Sequence, residues 1–270
     1  MRFIFFLFPF LLFSQQEKVS KEFDSIFYHI AVNVSSANPS KAMHLADSLY
    51  IHSKTEKEKV RTLMLLADIL EKQEKRGEAI IQAQKALKIA IAEDDYSFQA
   101  RIHGFLSTQY RTIGFLDKGK ISLDQGLLAS EKIDNKKQVV KFKAMSYQER
   151  AEYALEDKEF EKAIEYLQLA IISFEKEENP QFRDFIIANV EEMLGRAYMG
   201  LEKNEESLKH FSKANLFIKK AGAENTLWAA LIYRGLGEGF LKSKAVDSAG
   251  IYLNQALVIS EKGGHGTLKE

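Results

Sequence analysis

The chain of 270 residues contains no cysteine, which excludes disulfides, thiol nucleophiles and cysteine-ligated metal sites. Proline is almost as scarce: there are three, and none lies between Pro39 and Pro180. A gap of that length, rich in alanine, leucine, glutamate and lysine, predicts long uninterrupted helices. Net charge is also absent, because 38 basic side chains balance 38 acidic ones. This balance argues against a nucleic-acid partner, which is usually recognised through a basic excess.

The N-terminus differs in character from the rest of the chain. Arg2 precedes eleven apolar residues, Phe3–Phe13, and the sequence turns polar at Ser14. That run is shorter than the about 20 residues that a membrane-spanning helix needs, and its positive start is typical of a secretory signal peptide. We therefore predict a signal peptide over residues 1–14. The chain is then exported, periplasmic or secreted, with no membrane span.

Small residues recur through the chain at a nearly fixed interval. They come in sets of three, and the middle marker of each set recurs after 40, 44, 44 and 42 residues. The fifteen markers are Ala67, Ala79, Ala86, Ser107, Gly119, Gly126, Ala151, Ala163, Ala170, Gly195, Ser207, Ala214, Gly237, Ala249 and Ala256. Small residues on one helix face allow another helix to approach closely. The spacing therefore predicts five repeats, each with a helix A and a helix B.

Short turns are expected between helix A and helix B of each repeat. Asp117, Asp157 and Asp247 stand where the N-cap of a helix B is expected. A degenerate repeat precedes the five. Its helix B is predicted over Pro39–Tyr50, with Asn38 as N-cap and the proline at the first helical position.

The pattern of small and bulky residues resembles the tetratricopeptide repeat, whose usual period is about 34 residues. The resemblance assigns five extended repeats to residues 60–262, the degenerate repeat to 15–59 and the start of a further one to 263–270. It implies an all-α, right-handed solenoid of antiparallel helix pairs. The additional residues are placed between one helix B and the next helix A, as in Ile89–Arg101. Repeats of this length look like those of kinesin light chains and of bacterial peptide-sensing regulators.

The resemblance also implies that a peptide or protein binds to the concave face that the A helices line. The candidate groove residues are Arg61, Asp68, Glu71, Arg101, Thr108, Arg111, Gln148, Glu152, Asn189, Glu192, Arg196, Arg234 and Glu238. Two interpretations of Arg101 and Arg111 stay open. They pair with a carboxylate of the ligand, or they are solvated or paired to Glu152 of the next repeat.

Signals for chemistry are weak. The six histidines never have the spacing of a helical metal pair, and His103 is expected to be a helix-contact residue. The glycine-rich run Gly235–Phe240 follows no strand, so it is not expected to bind phosphate. Adjacent carboxylates such as Glu191 and Glu192 are interpreted as solvated charge. We expect no cofactor, no metal and no enzymatic activity.

The C-terminus bears on the biological role. Residues 263–270 begin where a further helix A is expected, so Leu253, Leu257 and Ile259 would be partly uncovered and the chain could self-associate through this end. The layout is similar to the exported half of bacterial membrane regulators that carry a cytoplasmic helix-turn-helix domain. The leading hypothesis is therefore a sensor or adaptor, the truncated input half of such a regulator. The alternatives are a freestanding envelope scaffold and an enzyme with an unrecognised site.

Overall fold

The computed structural model describes residues 19–35, 37–175 and 177–262. They form twelve α-helices and one π-helical segment, His29–Val34, which continues α1. The α-helices are α1 Lys21–Tyr28, α2 Pro39–Ile51, α3 Glu56–Lys72, α4 Arg76–Ala92, α5 Tyr96–Thr112, α6 Leu116–Glu131, α7 Lys136–Glu156, α8 Phe160–Phe174, α9 Pro180–Gly200, α10 Asn204–Lys220, α11 Leu227–Lys242 and α12 Val246–Lys262. No strand occurs in these ranges, so the predicted all-α class is confirmed.

Consecutive helices pair as the repeats predict. The five pairs α3–α4, α5–α6, α7–α8, α9–α10 and α11–α12 are the A and B helices of the five repeats, and α1 and α2 belong to the repeat before them. The chain divides into two compact bodies between Phe142 and Lys143, within α7. We call them the N-terminal body and the C-terminal body. Each is a stack of antiparallel helix pairs.

Each body has an apolar core of its own. In the N-terminal body, buried side chains from α1 to α5 such as Met64 and Ile102 form one large cluster. In the C-terminal body, Leu167 and Phe211 belong to two clusters built by α7 to α12. Full burial of such a side chain contributes about 1.5–3 kcal/mol. Packing between helices that are neighbours in sequence therefore holds each stack together.

The small marker residues lie where helices cross. All fifteen are buried, and Ala163 and Ala170 have no exposed surface. A Cβ atom added at Gly195 would lie 2.8 Å from the ring of Phe211, and one added at Gly237 would lie 2.6 Å from Leu253 Cγ. The predicted close approach of helix A and helix B is confirmed.

Three residues join each helix A to its helix B, and the middle one has a positive φ. These middle residues are Glu74, Gly114, Lys158, Glu202 and Lys244, with φ between 59° and 83°. The next backbone N–H donates back to a carbonyl near the end of helix A, as from Phe115 to Tyr110 at 2.8 Å and from Glu159 to Ala154 at 2.8 Å. Each helix A therefore ends in a Schellman-type C-cap, in which one residue adopts the left-handed conformation and a backbone hydrogen bond closes the turn.

The predicted N-caps of the B helices are wrong. Asp117 and Asp247 lie in the first turn of α6 and α12, and Asp157 lies in the connection before α8. The N-cap positions of α4, α6, α8 and α10 make no side-chain capping bond. The turn itself fixes the entry into helix B, because the N-cap backbone is already bonded to the preceding helix A.

Most A helices, in contrast, begin at a capping side chain. Thr55, Asp95, Asn179 and Thr226 each accept a hydrogen bond from a backbone N–H of the first turn of α3, α5, α9 and α11. The predicted cap of α2 is also present, since Asn38 accepts from the N–H of Lys41 at 2.9 Å. The connections between repeats vary in length, and side-chain N-caps fix the residue at which most A helices begin.

The additional residues of the long repeats are mostly helical. Helices α7 and α9 have 21 residues each, and only residues 93–95 separate α4 from α5. The prediction that the additional length lies between helices, as in Ile89–Arg101, is therefore wrong for most of that stretch.

Several sequence predictions concern residues outside the described ranges. The signal peptide over 1–14 and the incomplete repeat over 263–270 lie there, and both stay predictions. On α12, Leu257 is 39% exposed while Leu253 and Ile259 are half-buried. No helix within the described ranges is long and apolar enough to cross a membrane.

Candidate ligand-binding face

The candidate residues of α9 lie on one side of that helix. Asn189, Glu192 and Arg196 follow each other at spacings of three and four, which places them on one stripe. The surrounding stretch Ile186–Gly195 is buried throughout, so α9 is enclosed on nearly all sides. A polar group in such a position needs a partner, because burial without one is costly.

Arg196 has partners on two helices. Its Nη2 and Nη1 atoms donate to the two carboxylate oxygens of Glu152 on α7, at 2.5 and 3.3 Å. Its Nε atom donates to Glu192 on α9 at 3.1 Å. Both carboxylates are buried, at 3% and 5% exposed. This two-pronged geometry fixes the guanidinium plane and joins adjacent A helices.

Asn189 differs from these residues. Its side-chain Oδ1 is buried and makes no hydrogen bond with the described residues, although the residue is only 5% exposed. An unsatisfied buried acceptor costs about 1–3 kcal/mol. Such groups in a folded protein call for an explanation, of which contact with a ligand is one.

The last two candidates, on α11, are more open. Arg234 Nε lies 3.4 Å from Glu238 Oε1, and their side chains are 31% and 48% exposed. An exposed pair one helical turn apart contributes little to stability. This end of the face is therefore accessible to solvent.

In the N-terminal body, Arg61 is already occupied by the chain itself. Its Nη1 donates to Asp24 of α1 at 2.6 Å, and its guanidinium lies 4.6 Å from the ring centroid of Phe27 and 5.2 Å from that of Phe23. The predicted groove residue thus binds α1 to α3.

Asp68 and Arg101 lie close enough for their charges to interact. Burial raises the pKa of Asp68 to about 8, with a further rise from the charge of Glu71 and a smaller opposing effect from Arg101. Burial lowers the pKa of Arg101 to about 10, against the attraction of Asp68. Asp68 makes no hydrogen bond or ion pair with the described residues. Its carboxyl therefore holds a proton near neutral pH.

Glu71 belongs to a buried network that joins three helices. Its Oε1 accepts from Gln109 Nε2 of α5 at 2.6 Å and lies 3.8 Å from Arg76 Nη1 of α4. Arg76 also donates to Gln109 Oε1 at 2.9 Å. Burial raises the pKa of Glu71 to about 7, although Gln109 and Arg76 lower it in turn. Sequence reasoning missed Gln109 and Arg76, because neither lies on the predicted face.

Thr108, Arg111 and Gln148 complete the candidates, and all three are buried. Thr108 donates within α5, to the carbonyl of Gly104 at 3.3 Å. The structure thus places most of the candidate residues in buried positions between helices. Whether a ligand contacts them stays a prediction.

The interpretation of Glu191 and Glu192 as solvated charge is wrong, since both are buried. Glu191 lies 2.6 Å from His210 Nδ1 and 3.5 Å from Lys213 Nζ of α10. The His210 ring also stacks on Tyr198, with centroids 4.9 Å apart. The isolated dipeptide carries no sign of this, because the burial comes from the neighbouring helices.

Two features considered for chemistry in the sequence lie at helix contacts. The run Gly235–Phe240 lies inside α11, where a Cβ atom at Gly235 would lie 2.2 Å from the ring of Phe211, so it is a helix contact. His103 is also a helix contact, as predicted. A Cβ atom added at Gly126 would lie 3.1 Å from the Cβ atom of His103, and burial lowers the pKa of His103.

In the described ranges no group of three or more histidines, aspartates and glutamates is placed to hold a metal ion.

Comparison with known proteins gives a fold but no family. No family model matches the sequence, and no curated protein matches it. Solved structures do match. A crystal structure of NprR in complex with its cognate peptide NprX is 10% identical, with a TM-score of 0.69 over 94% of this chain and 72% of that one.

Two other structures match in the same way. A Rap protein complexed with Competence and Sporulation Factor is 13% identical, with a TM-score of 0.65 over 90% of this chain and 76% of that one. A kinesin light chain of P. anserina with TPR-like repeats is 15% identical, with a TM-score of 0.54 over 80% of this chain and all of that one. The chain therefore has the fold of tetratricopeptide-like helical repeat proteins.

Proposed function

We propose that this protein is a non-enzymatic module that binds a peptide or protein on the A-helix face of its C-terminal body, as an exported sensor or adaptor. The observation that carries the proposal is the buried Oδ1 atom of Asn189, which has no hydrogen-bond partner among the described residues. It lies one helical turn from the ion-paired Glu192 and two from Arg196. Two crystal structures with the same fold contain a bound partner: NprR is in complex with its cognate peptide NprX, and a Rap protein is complexed with Competence and Sporulation Factor.

The energetics of this stripe favour a peptide ligand. The ion pairs of Arg196 are already formed, so that side chain needs no rearrangement on binding. Asn189 keeps both an acceptor and a donor group for a peptide backbone, which offers one N–H and one C=O per residue. Binding would thus remove a penalty of the unbound protein instead of creating one.

The test is selection from a displayed library of random linear peptides on the full chain, followed by binding assays with Asn189→Leu. We expect this substitution to abolish binding and to raise the free energy of unfolding by about 1–2 kcal/mol, because it removes an unsatisfied buried group. The only tryptophan, Trp228, lies in the same body and reports unfolding by its fluorescence.

The matched control is Asn215→Leu. Asn215 on α10 also has a buried Oδ1 atom without a hydrogen-bond partner in the described ranges, but it lies on a helix B. This variant should gain stability in the same way and keep its peptide affinity. If Asn189→Leu bound the selected peptides as well as the wild type did, the proposed site would be wrong.

Export is the second part of the proposal, supported by the charged and apolar start of the sequence. After expression in a bacterium, we expect the mature chain in the envelope or medium, with Gln15 as its first residue. Recovery of an intact chain from the cytoplasm would contradict this part alone. It would leave the binding site untouched.

A further inference from the structure

An open cavity of about 860 Å³ lies in the N-terminal body, away from Asn189. It forms where the first turns of α3, α5 and α7 meet the connections before α5 and α7. Volumes between about 300 and 1,000 Å³ are typical of ligand sites. The size therefore suits a small molecule or a short stretch of peptide.

The floor of the cavity is apolar. Val60, Ala90, Phe98 and Phe142 line it, and each is less than a tenth exposed. An apolar side chain placed against these groups would lose its contact with water at little cost to the protein. The floor therefore selects for an aliphatic or aromatic group in the ligand.

Three helix N-termini converge here, an arrangement that often binds anions. In this cavity the first-turn N–H groups are already engaged by the protein. Thr55 accepts from Glu58, Asp95 from Phe98 and Asn135 from Gln138, at 3.1, 3.0 and 3.3 Å. An anion would have to displace these caps, so the helix ends do not make an anion site.

The charges at the cavity point to a cation instead. The lining contains five carboxylates, Glu56, Glu93, Asp94, Asp95 and Asp134, against three cations, Lys57, Arg101 and Lys132. Lys132 lies over the ring of Tyr96 at 4.9 Å, and Arg101 interacts with Asp68. Glu93 and Asp134 are exposed, one on each connection, and their side chains make no hydrogen bond or ion pair with the described residues.

We propose that this cavity binds a basic, amphipathic peptide segment. The lysine or arginine side chain of the segment pairs with Glu93 and Asp134 at the rim, and a neighbouring apolar side chain lies on the floor formed by Val60, Phe98 and Phe142. This site goes beyond the proposed function, because it lies in the other body and uses none of the residues of the α9 stripe. Either site can fail without the other.

The test is fluorescence anisotropy of the full chain with a labelled peptide of alternating lysine and leucine, blocked at both ends. Charge reversal in Glu93→Lys with Asp134→Lys should weaken binding by about tenfold or more, an effect that added salt reduces in the wild type. Both residues are exposed, so the fold should be retained, and the Tm of the variant checks this. Asn189→Leu should bind this peptide like the wild type.

Two controls decide between a site and general attraction of charge. Glu165→Lys with Glu205→Lys reverses two exposed charges of the C-terminal body and should leave the affinity unchanged. A lysine and serine peptide keeps the charge but lacks the apolar groups, and it should bind at least tenfold more weakly. Equal loss in both double variants, equal binding of both peptides, tighter binding of a glutamate and leucine peptide, or no binding at all would each overturn the proposal.

Discussion

The two bodies carry charged residues at the same position of their A helices but satisfy them differently. In the C-terminal body, Glu152 and Arg196 occupy corresponding positions of neighbouring repeats and form a two-pronged ion pair. In the N-terminal body the corresponding residue is Asp68, whose carboxyl forms no ion pair with the described residues and has a pKa of about 8. One repeat framework thus supports either a fixed charge pair or a carboxyl that is mostly neutral at pH 7.

The difference shows what burial does to charge. A guanidinium and a carboxylate that meet in good geometry stay ionised between helices, whereas a buried carboxyl without such a partner binds a proton. The A-helix face of the C-terminal body therefore carries an ion pair held in bidentate geometry. The charge of the A-helix face of the N-terminal body changes with pH, because Asp68 and Glu71 titrate near neutral pH.

The largest effect is expected when the ion pair between Arg196 and Glu152 is removed. Arg196→Ala removes the cation that lies between the buried carboxylates of Glu152 and Glu192, and we expect a loss of about 3 kcal/mol in the free energy of unfolding. Urea unfolding followed by Trp228 fluorescence measures it. Arg234→Ala, at a more exposed pair, is the control and should cost less than about 0.5 kcal/mol. Similar losses in the two variants would mean that burial does not govern these pairs.

The second prediction concerns pH in the N-terminal body. A carboxyl whose pKa is higher in the folded than in the unfolded chain holds its proton more tightly when folded, so it destabilises the fold as pH rises. The pKa of Glu71 rises from 4.5 to about 7, and the pKa of Asp68 rises from 3.8 to about 8. Stability of this body should therefore fall between about pH 4 and pH 8 and level off above that range.

Glu71→Gln keeps the acceptor for Gln109 and should remove about 1–3 kcal/mol of that fall. To measure this fall, the protein is equilibrated in urea at each pH and then given a hydrogen-exchange pulse at one fixed pH. The protection of the α3 amides reports the fraction that is folded. Adding Asp68→Asn should flatten the profile further. A profile of unchanged slope in the double variant would exclude these two carboxyls as its cause.

The third prediction tests what the bodies have in common. Ala79→Leu and Ala163→Leu place a larger side chain at the same helix crossing in the N-terminal and C-terminal body, and both alanines are fully buried. Each should cost about 1–3 kcal/mol from overpacking. Thermal unfolding would detect it. If one body tolerated leucine without loss, the bodies would differ in helix packing as well as in charge.

The smallest expected effect lies in the turns between helix A and helix B. Lys158 holds a positive φ of 60° in the C-terminal body, where the N-terminal body has Gly114 at 83°. Lys158→Gly should stabilise the chain by up to about 1 kcal/mol, and Gly114→Ala should destabilise it by about 1 kcal/mol. Thermal unfolding of both variants should shift in opposite directions. A shift in the same direction would mean that φ at these turns does not decide their stability.

The repeat itself could be predicted from the sequence because its signal is steric. Residues such as Ala163 and Gly195 are small where helices cross, and few other side chains fit there. The predicted caps at Asp117 and Asp157 are wrong because a backbone hydrogen bond closes the turn before each helix B. Any residue type with a backbone N–H can make that bond, so the sequence does not indicate it.

The candidate face was predictable in outline only. Helical spacing placed Asn189, Glu192 and Arg196 on one side of α9. It gave no sign that the stretch Ile186–Gly195 is buried all round, because that depends on how many neighbours the helix has. The partners within the fold, such as Gln109 for Glu71, depend on distances across helices that spacing along one helix does not contain.

The connections between helices differ in how freely they vary. Every turn from helix A to helix B spans three residues, whereas the four connections from a helix B to the next helix A, beginning with the one from α4 to α5, span three, four, five and six residues. Connections of different length therefore fit between repeats, whereas the turn within each repeat keeps one length. The natural junctions for exchanging whole repeats by recombination, or for grafting a foreign domain, are these connections, of which residues 221–226 form the longest.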